Sequence, residues 1–248
     1  MVAARVSEHG VDPRAIGGEL WTRGGAEESL CYAGANLIPL RGSGGDLQAF
    51  ADRACSVARR CSSLVGPADL VMGMWEGLRF AWGPARDVRE DQPLLALRSR
   101  PDCVIDASVR RVRVDELDAY LVAAVDMFIG EVGVDPRAGD GGRGYRRRVA
   151  GLIAAGRAFA RFERGRVVFK AEIGSQSPAV GQIQGVWVHP EWRGRGLGAS
   201  GTAAVAAAVV GTGRIASLYV NGFNSVARAA YARVGFRQVG TFATVLLD

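Results

Sequence analysis

The segment RGRGLG, Arg193–Gly198, places three glycines and two arginines between a stretch of alternating apolar and polar residues and a long run rich in alanine and valine. Glycine lacks a Cβ, so a glycine-rich turn at the start of a helix brings unpaired backbone N–H groups close to whatever lies above them. The helix dipole adds partial positive charge there, which suits a phosphate or pyrophosphate, and Arg193 and Arg195 would add side-chain charge. The G-x-G-x-G order is not that of dinucleotide sites, and the spacing alone also fits a purely structural turn.

A second motif lies downstream in NSVARAAYARVGF, residues 224–236. Asn224, Ala227 and Tyr231 stand at i, i+3 and i+7, so they share one face of a predicted helix, which Gly235 ends. An amide, a methyl group and a phenol make an unusual core stripe, whereas they suit a ligand that lies along the helix. For Tyr231 the alternative is a core residue packed under a sheet.

The elements around these motifs follow from periodicity and turn residues. In the C-terminal half the sequence predicts strands over 109–114, on both sides of a Glu-Arg-Gly turn in 157–174, over 181–190, over 214–220 and after Phe236. It predicts helices after Asp115, from Tyr145 to about Ala155, over 199–210 and over 224–234. A loop is predicted at 132–144. This order predicts an α/β domain in which most neighbouring strands are antiparallel and one strand-loop-helix crossover passes through the glycine turn.

The N-terminal half repeats part of that order. After an amphipathic start from Val2 to about Val11, the sequence predicts strands in GELWTR and SLCYAGANLIPL, a glycine turn in RGSGGD, and then a helix at 47–61, a strand at 62–66 and a helix at 67–80. In the glycine turn the position that matches Gly198 is Asp46, a carboxylate where a phosphate would lie. We therefore predict a tandem pair of similar folds, with a degenerate first copy at 1–100, a charged linker at 83–102 and a second copy at 101–248.

The two motifs together resemble the acetyl-CoA-binding core of the GNAT superfamily of N-acetyltransferases. The matching pattern is R-x-x-G-x-G in RGRGLG, preceded by VWVHP and followed by N-x-x-A-x-x-x-Y-x-x-x-G-F. The resemblance covers about residues 105–248 and implies the GNAT acyl-CoA N-acyltransferase fold, an α/β fold with a mixed sheet, with acetyl-CoA as co-substrate and no metal. It implies that β-strand backbone pairs with the pantetheine arm and that the glycine turn holds the pyrophosphate. The cofactor-binding residues so implied are Val186, Trp187, Val188, Arg193, Gly194, Arg195, Gly196, Leu197, Gly198, Ala199, Asn224, Ala227 and Tyr231.

The reaction that the resemblance implies is direct attack of a primary amine on the acetyl thioester. By position, the amide of Val186, next to a bulge at Gly185, would polarise the thioester carbonyl. Tyr231 would be the general acid that protonates the departing thiolate.

The general base departs from the pattern of this family, in which many members carry a glutamate on the fourth strand. Here alternation places Gln182 and Gln184 on the site face, and an amide orients water but takes no proton. The open alternatives are a water chain ordered by Gln182, a carboxylate such as Glu172 or Glu131, or no base at all for an amine that arrives neutral. His189 is expected to be structural, because side-chain parity turns it from the glutamine face.

Composition limits the other function classes. The formal net charge of +6 is dispersed over 31 basic and 25 acidic residues, and Lys170 is the only lysine; without a basic patch interleaved with aromatic residues, no nucleic-acid partner is expected. The four cysteines form no CxxC pair, and no metal site is predicted. No apolar run approaches the roughly 18 residues of a membrane span, so we expect a cytoplasmic protein without a membrane partner.

The sequence thus predicts an acetyl-CoA-dependent N-acetyltransferase whose acceptor is an unidentified small-molecule or protein amine. The alternative is a non-catalytic acyl-CoA sensor or scaffold, which the missing base favours. A measurement of acetyl transfer to an amine would distinguish the enzyme from the sensor or scaffold.

Overall fold

The computed structural model describes residues 2–138 and 140–248, and these form two compact units. Unit 1 comprises the chain up to Leu94 together with Tyr219–Asn224 and Gln238–Asp248, and unit 2 comprises Leu95–Leu218 and Ser225–Arg237. Met1 of the predicted first domain and Gly139 of the predicted loop lie outside the described residues. That residues 1–100 are a degenerate copy and 101–248 a catalytic one stays a prediction.

The elements follow one another in this order: α1 (Val2–His9), α2 (Pro13–Ile16), β1 (Gly18–Trp21), β2 (Leu30–Gly34), β3 (Leu37–Arg41), α3 (Gly44–Ser56), β4 (Ser63–Pro67), α4 (Ala68–Trp82), β5 (Asp87–Leu97), β6 (Arg110–Arg111), α5 (Leu117–Val132), α6 (Arg143–Ala154), β7 (Ala158–Glu163), β8 (Arg166–Gln176), β9 (Val180–Val188), α7 (Leu197–Val210), β10 (Ile215–Tyr219), α8 (Ser225–Val234) and β11 (Arg237–Leu246). No helix of the described ranges is both long and apolar enough to cross a lipid bilayer.

Unit 1 is built on the strand order β1-β2-β3-β4-β11. The first three strands are antiparallel neighbours, β4 runs parallel to β3, and β11 pairs antiparallel with β4. Helix α3 buries Leu47, Phe50, Ala51 and Ala54, at helical spacing, in a core that α4 joins through Met74 and other residues. The apolar stripe of α3 therefore sets how this helix lies on the sheet.

Unit 2 is built on the strand order β10-β9-β8-β7-β6. Strand β9 is antiparallel to β8 and parallel to β10, so its connection to β10 must cross over, and α7 is that crossover. On β8, Lys170 faces Tyr120 of α5 while Phe169 faces Gly201 of α7. Because successive strand residues point to opposite faces, α5 and α7 cover opposite faces of this sheet.

The two units therefore share one order of elements: three antiparallel strands, a crossover helix, and a fourth strand parallel to the third. This confirms the predicted α/β fold with a mixed sheet. In unit 2 the predicted strands at 157–174 and 181–190 and the helices near 199–210 and 224–234 are all present.

Three sequence predictions of elements were wrong. SLCYAGANLIPL is two strands, β2 and β3, because the chain turns at Gly34–Asn36, where the Gly34 N–H donates to the Asn36 carbonyl at 3.1 Å. The strand expected at 109–114 shrinks to the two residues of β6. The expected linker at 83–102 contains β5, an eleven-residue strand whose charged first half is mostly exposed and whose second half is mostly buried.

The positions of strands β5 and β11 in unit 1 depend on contacts between residues far apart in the sequence. Buried Gln92 of β5 bonds the Asn221 side chain at 2.7 Å and accepts from the Thr244 hydroxyl at 2.6 Å. Strand β11 pairs with β4, from Phe242 opposite Pro67 to Leu246 opposite Ser63. The last strand, which we predicted with the C-terminal domain, thus completes the sheet of unit 1.

The contact of α7 with β8 gives a stability prediction. A Cβ added at Gly201 would lie 2.6 Å from the buried ring of Phe169, so Gly201→Ala should overpack unit 2 and cost about 1–3 kcal/mol of unfolding free energy. Gly151→Ala on α6 is the matched control, because its Cβ would meet no atom within 4 Å. The control should gain about 0.5–1 kcal/mol from helix propensity. Urea unfolding of both variants checks the pair, and equal stabilities would contradict the packing described.

Candidate functional site

Strand β9 pairs with its parallel neighbour β10 over only its first residues. Only Val180, Gly181 and Gln182 pair with β10, whereas β9 continues to Val188. In the described part of the chain, the remainder of β9 has no ladder partner on this side. The two strands therefore open a gap that an extended ligand could enter by pairing with the free edge.

A β-bulge lies on β9 at the start of this gap. Trp187 pairs with Lys170 and Gln184 with Glu172, so Gly185 and Val186 together face a single residue of β8. Gly185 has a φ of 59°, a left-handed conformation that favours glycine. The bulge predicted at this residue is confirmed.

The side chain of Lys170 fixes the direction of the peptide at the bulge. Its Nζ donates to the Gly185 carbonyl at 3.1 Å. In a planar trans peptide the C=O and the next N–H point in opposite directions, so the Val186 N–H points away from Lys170. Among the described residues, this N–H donates to no backbone carbonyl outside the strands, so a ligand that enters the gap could accept from it.

The end of β9 continues the exposed edge. The His189 N–H donates to the Val168 carbonyl at 3.0 Å, so by alternation the backbone polar groups of Val188 point away from β8. At present the Val188 carbonyl accepts from Nε of Arg193 at 3.2 Å. The backbone of Trp187 faces β8, and its side chain packs with the apolar cluster around Tyr120 and Val149.

The glycine turn begins α7 as predicted. Gly194 and Gly196 have φ values of 73° and 81°, and Gly196 is the N-cap residue, without a side chain to cap the helix. Ala199 and Ser200 donate to the Gly196 carbonyl at 3.1 Å each, whereas the N–H groups of residues 194–198 have no acceptor in the described part of the chain. This row of free donors at a helix N-terminus is the geometry that binds phosphate.

Side chains around the turn hold it in place. Leu197 and Ala199 are buried in unit 2, and a Cβ on Gly198 would lie 3.9 Å from Val188, so the turn is adjacent to the end of β9. Arg195 lies over the ring of Trp192 at 5.1 Å. Its guanidinium thus stays beside the free N–H groups and adds positive charge.

Helix α8 carries the predicted acid. Tyr231 is 8% exposed, its ring meets Phe236 edge to face, and its hydroxyl has no hydrogen-bond partner among the described residues. Burial, together with the nearby charge of Glu131, raises the pKa of Tyr231 well above its usual value, so the phenol keeps its proton at neutral pH. Asn224 directly precedes α8 and donates its N–H to Asn221 at 2.9 Å, and Ala227 lies half-buried in the first turns.

A buried ionic cluster lies under the bulge; Glu172 was named as a candidate base, whereas its pairing with Lys170 was not predicted. Lys170 and Glu172 are 0% and 1% exposed, with Nζ and Oε1 3.1 Å apart. The Glu172 carboxylate also accepts from the hydroxyl of Tyr120 at 3.3 Å and the amide of Gln184 at 3.4 Å, and Arg148 reaches it at 3.9 Å. That Lys170 is the only lysine, within the mostly apolar segment RVVFKAEIG, was the sequence signal available for this cluster.

The cluster bears on the choice of base. Burial raises the pKa of the Glu172 carboxyl, but the charges of Lys170 and Arg148 outweigh burial and hold it below the usual value. Glu172 is therefore a structural anion with its oxygens already engaged. Gln184 is bound to Glu172, while Gln182 lies half-buried where β9 and β10 part.

The parity argument for His189 was wrong. The bulge inserts one residue between Gln184 and Trp187, so side chains beyond it change face, and His189 meets Trp187 edge to face on the side of the glutamines. The expectation of a structural role agrees with its contacts. Its Nδ1 accepts from the N–H of Glu191 at 3.3 Å and caps the turn at Pro190–Trp192.

Family models match two separate segments of the chain. Residues 170–245 match the model described as FR47-like protein, and residues 18–120 match a domain of unknown function, DUF4081. Among curated proteins, none matches this sequence.

Solved structures match almost the whole chain. A GNAT-family acetyltransferase from Colwellia psychrerythraea has a TM-score of 0.61 at 12% identity, over 98% of this chain and 89% of that one. A GCN5-related N-acetyltransferase from Kribbella flavida has a TM-score of 0.55 at 16% identity, over 100% and 96%. A tandem GNAT protein from the clavulanic acid biosynthesis pathway has a TM-score of 0.51 at 16% identity, over 88% and 78%. At these identities the likeness establishes the fold, and with the FR47-like segment it identifies the chain as a GNAT-fold protein.

Proposed function

We propose that the protein is an acyl-CoA-dependent N-acyltransferase, with acetyl-CoA as the donor and a primary amine as the acceptor. The observation that carries this proposal is the row of backbone N–H groups without acceptors in the described chain, at residues 194–198, beside the edge of β9 that β10 leaves unpaired beyond Gln182. An extended molecule with a phosphate end and a carbonyl group would satisfy both.

The chain would bind the donor mainly through its backbone. The N–H groups of 194–198 would hold the pyrophosphate, with Arg195 adding charge from its place on Trp192. The free edge of β9 at Val186 and Val188 would pair with the pantetheine arm. Arg193 would then have to release the Val188 carbonyl, and its guanidinium would turn toward the phosphates.

Acetyl-CoA would supply an activated acetyl thioester. The Val186 N–H would donate to the carbonyl oxygen as negative charge develops on it. Lys170 does not contact the thioester in this proposal. It is a positioning residue, because its bond to the Gly185 carbonyl fixes the direction in which the Val186 N–H points. Tyr231, protonated and without a partner for its hydroxyl, would donate its proton to the leaving sulfur.

The acceptor amine would lose its proton to water ordered near Gln182. Glu172 is unsuited to this role because Lys170, Tyr120 and Gln184 already bind its oxygens. Gln182 lies where the strands part and can orient a water molecule. An amine that arrives neutral needs no base, so the rate should rise with pH as the free amine forms.

The glycine turn can be tested without strain at Gly198, which has ordinary helical backbone and room for a Cβ. Gly198→Asp places a carboxylate against the pyrophosphate, so calorimetric affinity for acetyl-CoA should fall at least tenfold, about 1.4 kcal/mol. Gly198→Ala is the control and should bind within about threefold of the wild type. The aspartate suits the helix dipole, so thermal stability should not fall. Equal affinities of the two variants would exclude this phosphate site.

Tyr231→Phe tests the acid. Turnover should fall by about 100-fold or more, because the proton is needed only as the thiolate leaves, while acetyl-CoA affinity stays unchanged. Thiol release with pooled primary amines, and the mass gain of one acetyl group, measure the reaction. Tyr145→Phe is the control, since that hydroxyl already donates to the Ala124 carbonyl at 3.0 Å. Wild-type turnover in Tyr231→Phe would remove this residue from the reaction, and binding without any turnover in the wild type would favour a sensor.

The buried pair is tested by removing both charges. Lys170→Met alone leaves Glu172 buried without its main partner and should cost about 3–5 kcal/mol of unfolding free energy. Lys170→Met/Glu172→Gln should recover most of that stability. The double variant should bind acetyl-CoA normally yet turn over at least tenfold more slowly, because the peptide between Gly185 and Val186 is no longer held. A stable double variant with full turnover would show that the pair has only a structural role.

A further inference from the structure

Unit 1 contains a cavity of about 600 Å³ that the proposed reaction does not use. It lies between β1, β2, the last turn of α3 and the segment 57–61, with Trp82 of α4 on one side. A volume in this range is typical of small-molecule sites.

One part of the cavity lining is apolar. Trp21 and Leu37, which are 6% and 2% exposed, line the cavity together with buried Ala54. Gly18 and Gly34 pair directly across β1 and β2 and present bare backbone. A Cβ on Gly18 would approach the Ala33 carbonyl oxygen to 2.4 Å, so only glycine keeps these strands this close. Bare glycine backbone beside apolar side chains suits the face of a planar ring.

The rim of the cavity is positively charged. Four arginines, Arg14, Arg53, Arg59 and Arg60, face one carboxylate, Glu19. Arg53 pairs with Glu19 at 3.3 Å and also lies over the ring of Trp21 at 4.8 Å. The guanidinium groups of Arg14 and Arg60 have no hydrogen bond or ion pair within the part of the chain that the structure describes. The rim therefore has an excess of cationic donors over its single carboxylate.

We propose that this cavity binds a small organic anion with a planar ring, of the aromatic carboxylate class. The ring packs over the backbone of Gly18 and Gly34 beside Leu37, and the carboxylate binds Arg14 and Arg60, whose planar guanidinium groups match it in two-point hydrogen bonds. Glu19 stays paired with Arg53. A neutral ring lacks the charge that these arginines require, and a small inorganic anion lacks the apolar area.

This site differs in place from the position that matches the phosphate turn of unit 2. The N-terminus of α3 is closed by Asp46, which accepts from the N–H and the hydroxyl of Ser43 at 2.8 and 2.7 Å. The cavity lies at the other end of this 13-residue helix, about 18 Å away along its axis. The proposal therefore does not rest on the proposed function.

The test uses 2-naphthoate and its neutral analogue 2-naphthamide, titrated calorimetrically into the full chain. We expect 2-naphthoate to bind at one site per chain and the amide to bind at least tenfold more weakly. Arg14→Gln/Arg60→Gln should weaken 2-naphthoate at least tenfold. Arg41→Gln/Arg79→Gln is the matched control, because it removes the same charge from unit 1 at arginines outside the cavity, and it should bind within about twofold of the wild type.

Two further variants locate the site. Ala58→Phe fills the cavity from an exposed position without changing charge and should also weaken 2-naphthoate. Gly198→Asp, designed to disturb acetyl-CoA binding, should leave 2-naphthoate binding intact. No binding of 2-naphthoate by the wild type, equal binding of the amide, or equal loss in both arginine pairs would overturn the proposal.

Discussion

The site of unit 2 depends on one hydrogen bond, from Nζ of Lys170 to the carbonyl of Gly185. The bulge at this glycine lets β9 leave β10, and the lysine decides which way the freed peptide turns. Without that bond, the left-handed Gly185 and its neighbours could rotate the peptide, and the Val186 N–H would lose its fixed direction. A donor that must meet developing charge is useful only when its direction is set beforehand.

Stability alone does not account for the buried pair that supplies this bond. Removing two charges from water costs several kcal/mol per ion, and well-packed apolar residues of similar volume are often as stable or more so. Lys170 and Glu172 are held by Tyr120, Gln184 and Arg148, so the desolvation cost is offset by hydrogen bonds rather than eliminated. What an apolar pair could not provide is a donor for a backbone carbonyl. We therefore interpret the pair as a device that places the peptide, and the lowered pKa of Glu172 keeps it charged at neutral pH.

Local signals predicted the elements that carry the candidate site, and contacts distant in sequence account for what was missed. Alternation and glycine spacing identified β9, the turn before α7 and the face of α8 that carries Tyr231, because each signal lies within one short segment. The extra residue at Gly185 could be suspected, but its effect on parity misled the argument for His189. The role of Lys170 depends on Tyr120 and Arg148, which lie on helices far from it in sequence. The strand β5 was taken for a linker because its first half is charged, although its second half is buried.

The two units show how one residue changes what a helix N-terminus can do. After the third strand, each chain segment passes through a glycine turn into a crossover helix. In unit 2 the turn has no side-chain cap, and its N–H groups remain free for a ligand. In unit 1 the Asp46 carboxylate closes a capping box with Ser43, with Arg23 3.6 Å away, and the hydrogen bonds from Ser43 lower its pKa. A phosphate at this end would meet a fixed negative charge, so the N-terminus of α3 is unsuited to anion binding. The opposite end of the same helix carries the arginines, beside an apolar lining that the phosphate turn of unit 2 does not need. On this argument two units with a common strand order would bind different ligands, because the helix ends, rather than the sheet, determine what each can bind.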